Sequence, residues 1–150
     1  MSLFSAIFPP DDVVGELHDA LRPLREAHPR LRWQHPSRWH VTIRFFGAAE
    51  PADQLAGLDR VPAPVLRLHG SGVFRHVLWI GVDGALAELG EAAGVPLDWR
   101  PHLTVARGAA LPLVEFTGRE WTATEVVLVR SHPAAGYTVL DRVPLSTPNA

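Results

Sequence analysis

The chain has 150 residues, with 14 basic and 16 acidic side chains, a net charge of −2 at pH 7 and 47% hydrophobic residues. These values fit one globular domain with a buried core, and exclude both a disordered tail and a polycation that coats nucleic acid. The chain has neither cysteine nor lysine, which excludes disulfides, thiol catalysis, cysteine-bound metals and Schiff-base chemistry.

The first third of the chain predicts a strand, a helix and a second strand. Residues 3–8 form a short apolar run closed by two prolines, as in a buried strand. Apolar residues then recur at helical spacing, from a cap at Asp11 or Asp12 to about His28. Residues 39–46 show the alternating pattern of side chains that is typical of a strand, and this strand is expected to end at Gly47.

The rest of the chain predicts mostly strands. Residues 65–69 and 76–82 are expected to pair as a hairpin around a Gly-Ser-Gly loop. Residues 84–93 predict a short helix, residues 102–106 a further strand, and three more β-prone runs follow at 114–117, 124–130 and 137–140. Strands outnumber helices and are not regularly interleaved with them, so the expected class is α+β.

The N-terminus and the apolar runs predict where the protein resides. Residues 1–12 have no basic segment before the apolar run, unlike a signal peptide. No apolar run approaches the roughly 20 residues that span a bilayer. We therefore expect one domain over residues 1–150, cytoplasmic, monomeric and without a membrane partner.

A repeated strand is the most informative feature of the sequence. Residues 39–47 read WHVTIRFFG, and residues 101–108 read PHLTVARG, which places a second His-x-Thr unit 62 residues after the first. Both units have apolar residues between the polar ones and a closing glycine. We interpret the repeat as an internal duplication that forms two similar lobes facing each other.

The repeat predicts a phosphate site. Because side chains alternate along a strand, His40 shares a face with Thr42, and His102 shares one with Thr104. If the two lobes are related by a pseudo-twofold axis, two imidazoles and two hydroxyls converge on one cleft. In-line displacement at phosphorus needs a base on one side and an acid on the other, and histidine can be either near neutral pH. The threonine hydroxyls can donate to the phosphate oxygens.

Other site chemistries fit less well. Neither His-x-Thr strand carries an Asp or Glu beside its histidine, so no metal site is expected. The Gly-Ser-Gly unit lacks the G-x-S-x-G form of a nucleophile elbow. A lone histidine in an apolar strand is more often a core residue, and only the pairing favours the functional interpretation for His40 and His102.

The forms HVTIRFFG and PHLTVAR resemble the motifs of the 2H phosphoesterase superfamily, specifically the bacterial RNA 2′,3′-cyclic phosphodiesterases known as 2′-5′ RNA ligases. The resemblance covers nearly the whole chain. It implies a bilobal α+β fold in which two antiparallel sheets form a central cleft with helices outside. It also implies opening of an RNA-terminal 2′,3′-cyclic phosphate to a 2′-phosphate without metal or cofactor, or, in reverse, 2′-5′ ligation. By the same resemblance His102 is the base and His40 the acid, although the symmetry alone allows the reverse.

Two further residues match the family motif at the same offset, five residues after each histidine. Phe45 is expected to stack on a base or to pack in the core, and Arg107 is expected to bind phosphate. Strict alternation turns both away from the cleft, so either role requires a bulge. From Arg22 to Arg44 there are six arginines and one acid, an excess that suits an RNA end or a solvated face.

The sequence departs from the family pattern in its second half. The helix between Val82 and Pro101 is short, and between Gly108 and Glu125 the second lobe's helix is replaced by a strand-like segment. Shortened loops allow a smaller substrate, such as a cyclic phosphate nucleotide. A non-catalytic domain that binds nucleotides or RNA ends is a further alternative, and the intact histidines and threonines argue against it.

Overall fold

The computed structural model describes residues 2–147. Within these residues, two α-helices interrupt a series of nine strands. In chain order the elements are β1 (Ser2–Ile7), α1 (Asp11–Ala27), β2 (Arg32–Trp33), β3 (Val41–Gly47), β4 (Val65–Phe74), β5 (Val77–Gly84), α2 (Ala87–Ala93), β6 (His102–Arg107), β7 (Thr117–Thr122), β8 (Glu125–His132) and β9 (Gly136–Pro144).

The strands form one antiparallel sheet that is curled into a half-barrel. Its two halves have a corresponding arrangement of strands. The order is β7-β4-β5-β6-β3-β1-β8-β9, with the short β2 paired to β6. Each half contains a strand–helix–strand unit, β1–α1–β3 in the first lobe and β5–α2–β6 in the second. The strands that carry the two His-x-Thr units, β3 and β6, are therefore neighbours at the centre of the sheet.

The α+β class and the arrangement of two halves around a central cleft are confirmed, with one difference from the expectation. The strands form a single continuous sheet rather than two separate sheets. The halves join because Val41 on β3 pairs with Leu103 on β6, the residue after each motif histidine. This is the only residue pair between the two strands in the described part of the chain, so beyond it β3 and β6 diverge and leave room for a cleft.

The main hydrophobic cluster packs both helices against the sheet, and a smaller cluster of Phe4, Ala6, Val127 and Val129 is separate from it. In α1 the buried residues are Val13, Leu17 and Leu21, which recur every four residues and so share one side of the helix. Asp11 and Asp12 lie in the first turn of α1 rather than before it, where their charges favour the helix dipole. Within residues 2–147, neither helix is long and apolar enough to cross a membrane.

The Gly-Ser-Gly segment is not the hairpin loop that the sequence predicted. It lies within β4, and the chain turns three residues after Gly72, at Arg75 and His76. One extra residue of β4 interrupts its pairing with β5 just before Ser71, and Gly70 there has φ +70°, a conformation that glycine adopts without strain. Glycine thus marks a β-bulge here rather than a turn.

Candidate active site

Both motif histidines are held by the same local hydrogen bond. Nδ1 of His40 donates to the carbonyl oxygen of Arg38 at 2.7 Å, and Nδ1 of His102 donates to that of Arg100 at 2.9 Å. Each bond reaches the backbone two residues before the ring, fixes the tautomer and leaves Nε2 available. A neutral ring therefore presents a proton acceptor at Nε2, and a protonated ring presents a donor.

The two rings face a cleft of about 330 Å³ that also receives every other residue proposed from the sequence. The cleft is lined by Ser2, Phe4, Gln34, Arg38, His40, Thr42, Phe45, His102, Thr104, Arg107, Ser131 and Tyr137. The cleft surface is polar because it contains two threonine hydroxyls, two arginine guanidinium groups and two imidazoles. Such a surface suits a small anionic ligand more than an apolar one.

A one-residue bulge brings Phe45 and Arg107 into this cleft. In β3, Ile43 is an extra residue without a partner on β1, and in β6, Val105 is an extra residue without a partner on β5. Each bulge lies three residues after its histidine and shifts the alternation of side chains by one. The residues five positions after each histidine therefore share a face with it, as a role in the cleft requires.

His40 is enclosed by aromatic rings. It stacks on Phe4 at 4.8 Å between ring centroids, and it contacts Phe8 at 5.5 Å and Tyr137 at 5.6 Å. Its Nε2 lies 3.1 Å from the hydroxyl oxygen of Thr42, which donates to the neutral ring. Burial lowers the pKa of His40 below 6.5, the carbonyl of Arg38 acts in the opposite direction, and the charge of His102 lowers this pKa further.

His102 is more open. It is exposed to solvent, and among residues 2–147 the one ring in contact with it is that of Trp79, at 6.0 Å between centroids. The two histidines therefore share a motif, a tautomer and a cleft but differ in their surroundings. In the free protein this difference favours the neutral state for His40.

Arg107 is available to bind an anion. Its guanidinium is exposed in the cleft and makes neither an ion pair nor a hydrogen bond with any residue in 2–147. Arg38 also lines the cleft, where its guanidinium lies 5.5 Å from the ring centroid of Tyr137. A phosphate between these two cations would be stabilised from both lobes.

Sequence reasoning missed several cleft residues. Tyr137 is the single tyrosine of the chain, on a strand far from either motif, and its ring contacts both His40 and Phe4. Gln34 and Arg38 lie in the segment just before His40. A uniquely placed tyrosine and an arginine beside a motif are usable signals, whereas nothing in the sequence marks Ser2 or Ser131.

No group of three or more His, Asp or Glu side chains in residues 2–147 is arranged to hold a metal ion. The acidic residues that form ion pairs do so outside the cleft, for example Glu16 and Asp12 of α1 with Arg119.

Comparisons with known proteins agree with this geometry. Residues 7–79, which include the first His-x-Thr strand, match the family described as LigT like phosphoesterase. No curated protein matches the chain by sequence.

Solved structures match along nearly the whole chain. The protein TT0787 of Thermus thermophilus is 28% identical with a TM-score of 0.74, over 97% of this chain and 98% of that one. E. coli LigT in complex with ATP is 25% identical with a TM-score of 0.75, over 97% and 98% of the two chains. The same protein with 3′-AMP is 27% identical with a TM-score of 0.73, over 97% of both chains.

The family match covers α1, the first His-x-Thr strand and the hairpin strand β4, and the structural matches extend the likeness to the rest of the chain with its second His-x-Thr strand. Together they support the LigT-like phosphoesterase family, within the 2H phosphoesterase superfamily, for this chain, and with it a phosphoesterase activity.

Proposed function

We propose that this protein is an RNA 2′,3′-cyclic phosphodiesterase, which opens a terminal 2′,3′-cyclic phosphate to a 2′-phosphate with His40 and His102 as acid and base. The observation that carries the proposal is the matched pair of Nδ1 hydrogen bonds, which leaves the Nε2 atom of each ring for proton transfer in one cleft, with that of His40 bonded only to the Thr42 hydroxyl. Two imidazoles on opposite lobes can serve the two opposite ends of an in-line displacement.

In the proposed reaction His102 accepts a proton from water as the water oxygen attacks phosphorus. The bond from phosphorus to the 3′-oxygen breaks on the opposite side, and His40 donates the proton that this oxygen needs. His102 ends protonated and His40 neutral, and exchange with solvent restores both. No redox step or metal is needed for this proton balance.

The surroundings of His40 suit an acid that acts only when phosphate is bound. A lowered pKa makes the imidazolium a stronger proton donor. A phosphate anion in the cleft has the opposite charge and favours the protonated ring, so substrate binding offsets the effects of burial and of His102. Thr42 then turns its hydroxyl from His40 toward a phosphate oxygen.

The remaining cleft residues bind the substrate in this proposal. Thr42 and Thr104 donate hydrogen bonds to the non-bridging oxygens, and Arg107 binds them through its guanidinium. Phe45, whose side chain is 64% exposed, offers its ring to the base of the terminal nucleotide. Exposure of so large an apolar ring beside a phosphate site supports stacking over core packing.

The charge around the cleft supports a nucleic acid substrate. Arg38 and Arg107 line it, Arg32 lies on β2 directly opposite Arg107, and none of these three forms an ion pair within residues 2–147. Unpaired cations along a cleft attract a polyanion and hold its backbone.

A second candidate substrate is a small cyclic phosphate nucleotide. The cleft volume of about 330 Å³ lies near the lower end for ligand sites and suits one nucleotide. The ligands bound in the E. coli LigT structures include ATP, NADP+ and 3′-AMP, which are nucleotides rather than RNA. Competition between adenosine 2′,3′-cyclic phosphate and an oligonucleotide with the same end distinguishes the two substrates by their kcat/KM.

The direct test is incubation with an RNA that ends in a 2′,3′-cyclic phosphate. Phosphorus NMR should show a 2′-phosphate as the product, with an equal rate when EDTA is present. A 3′-phosphate product would contradict the proposed leaving group. Loss of activity in EDTA that one specific metal restores would contradict the two-histidine mechanism.

A further inference from the structure

The indole ring of Trp79 lies beside the cleft, on the lobe of His102. A Cβ atom at Gly72 would come within 2.1 Å of Trp79 Cζ2, so the ring occupies the space above that glycine. Trp79 and Thr104 are paired across β5 and β6, and paired side chains share one face of the sheet. The ring therefore lies on the cleft face, 6.0 Å from the ring centroid of His102.

Two glycines create the place for this ring. Gly72 lies beneath it on β4, and Gly81 follows two residues after it on the same face of β5. A Cβ atom at Gly81 would lie 2.6 Å from the carbonyl oxygen of His69, so this position excludes any side chain. No side chain at Gly81 covers the sheet next to Trp79, and Trp79 is partly exposed to solvent.

The polar edge of the indole is also unused. Trp79 Nε1 makes no hydrogen bond with any residue in 2–147, and it is not among the buried polar atoms that lack a partner. The first lobe has no counterpart, because the residue paired with Thr42 is Ala6. On the side of His102, a ligand group larger than water can therefore contact an aromatic surface. On the side of His40, aromatic rings already enclose the histidine and leave no equivalent space.

We propose that Trp79 is the stacking platform for the base of a second nucleoside, whose 5′-hydroxyl takes the place of water beside His102. This inference rests on the proposed function, in which His102 activates the attacking oxygen. The 5′-oxygen bonds to phosphorus and gives its proton to His102. The bond to the 3′-oxygen breaks and His40 protonates that oxygen, which leaves a 2′-5′ linkage; cleavage of the linkage follows the same steps in reverse.

The class of ligand is a nucleoside, or the 5′ end of an oligonucleotide, with a free 5′-hydroxyl. Every base has a π face, so stacking on an indole accepts any of them. The free Nε1–H can donate to an oxygen of the base or the sugar. The platform thus determines whether the nucleophile is water alone or also a sugar hydroxyl.

The test compares two substrates in one set of variants. One is adenosine 2′,3′-cyclic phosphate, which has no second nucleoside, and the other is 2′-5′-linked diadenosine monophosphate. Trp79→Ala should lower the ratio of kcat/KM for the dinucleotide to kcat/KM for the cyclic phosphate about tenfold, the order of one lost base stack. Trp79→Phe should restore most of the ratio because it keeps an aromatic ring.

Matched controls use exposed or open positions elsewhere. Phe74→Ala removes an exposed aromatic ring from the same hairpin and should leave the ratio unchanged. Gly72→Ala should displace the indole and lower the ratio, whereas Gly15→Ala, where a new Cβ meets nothing within 4 Å, should not. An equal fall in both activities, which a merely supporting role toward His102 predicts, would overturn the proposal, as would an unchanged ratio in Trp79→Ala.

A binding measurement keeps this inference separate from the proposed function. The NMR signal of the Trp79 indole N–H, assigned by its loss in Trp79→Phe, should shift more with the dinucleotide than with the cyclic mononucleotide. Failure of the wild-type protein to hydrolyse any cyclic phosphate would contradict the proposed function and leave this titration interpretable. An indole signal that the dinucleotide does not move would overturn the platform.

Discussion

The two lobes use one motif in two different surroundings. Val41 and Leu103, which follow the two histidines, pair with Ile7 and Ile80 on the adjacent strands. The next residues along those strands are therefore equivalent, and they are Phe8 in the first lobe and Gly81 in the second. Phe8 helps to enclose His40, whereas Gly81 leaves the space beside His102 open.

This difference shows how one duplicated strand can perform two chemical tasks. The hydrogen bond from Nδ1 to a backbone carbonyl is local, so both copies keep it. The rings around His40 come from Phe4 of β1, from Phe8 just after it and from Tyr137 of β9, whereas the ring beside His102 comes from β5. Orientation is thus a property of the motif, whereas protonation and access are properties of the neighbouring strand.

Removal of either motif histidine should reduce activity more than any other single substitution. His40→Ala and His102→Ala should each lower kcat by about 10²- to 10⁴-fold, the usual contribution of general acid–base catalysis. The double variant should lose far less than the product of the two effects, since both groups act in one displacement. His76→Ala, an exposed histidine in the β4–β5 turn, is the matched control. Full activity in either single variant would refute the mechanism.

A substrate with a sulfur leaving group identifies which histidine is the acid. A substrate with sulfur at the 3′ position needs little protonation as that bond breaks, so it should rescue the variant that lacks the acid. We expect rescue of His40→Ala and not of His102→Ala, measured as the ratio of rates on sulfur and oxygen substrates. The opposite pattern would exchange the two roles.

Arg107 tests whether the second lobe holds the phosphate. Arg107→Ala should lower kcat/KM about tenfold to a hundredfold, the value of a charge-assisted hydrogen bond of about 1.5 to 3 kcal/mol. Arg107→Lys should restore only part of it, because an ammonium group lacks the paired donors of a guanidinium. Arg60→Ala, at an exposed position outside the cleft, controls for lost positive charge. Unchanged kinetics in Arg107→Ala would show that Arg107 does not bind the phosphate.

The positions of Arg107 and Phe45 also show where prediction from sequence ends. His40 and Thr42 are two residues apart, so alternation alone put them on one face, and the same holds for the second motif. A bulge depends on how a strand pairs with a distant neighbour, here Ile43 against β1. The sequence could state that a bulge was required but could not locate it.

The Gly-Ser-Gly segment failed as a prediction for a related reason. Glycine marks both turns and places where another group approaches the backbone, and local sequence does not distinguish them. Gly72 provides room for Trp79, which is seven residues away along the chain and directly opposite across the strands. Tyr137 was missed likewise, because it reaches His40 only after β9 joins the edge of the first lobe.

Phe45 is the counterpart of Arg107 in the first lobe, and removal of its side chain should lower kcat/KM less than removal of the Arg107 side chain. Phe45→Ala should raise KM about tenfold for a nucleotide substrate with little change in kcat, because a half-open ring contributes one base stack. Phe45→Tyr should restore binding. Steady-state kinetics with adenosine 2′,3′-cyclic phosphate measure both constants, and Phe74→Ala controls for an exposed aromatic ring. A large loss of thermal stability at constant KM would instead assign Phe45 to packing.

The difference in enclosure should also be measurable without substrate. NMR titration of the imidazole signals should place the pKa of His40 below 6.5, because of its burial and the nearby charge of His102. Phe8→Ala opens the ring to water and should raise this pKa, whereas Phe74→Ala should not change it. A His40 pKa that is insensitive to Phe8 would mean that Phe8 contributes nothing to the asymmetry between the lobes.

The same shift predicts a small dependence of stability on pH. The pKa of His40 is lower in the folded protein than in the unfolded chain, where it is near 6.5, so below that pH the unfolded chain binds the proton more readily. The contribution of His40 to the free energy of unfolding is thus complete above pH 6.5 and is lost as the pH falls toward the folded pKa. Urea unfolding at about pH 7.5 and about pH 5.5, either side of the ordinary histidine value, measures this loss. His40→Gln should lose less stability than wild type between the two conditions, and an equal loss in His40→Gln and wild type would contradict the enclosure of His40.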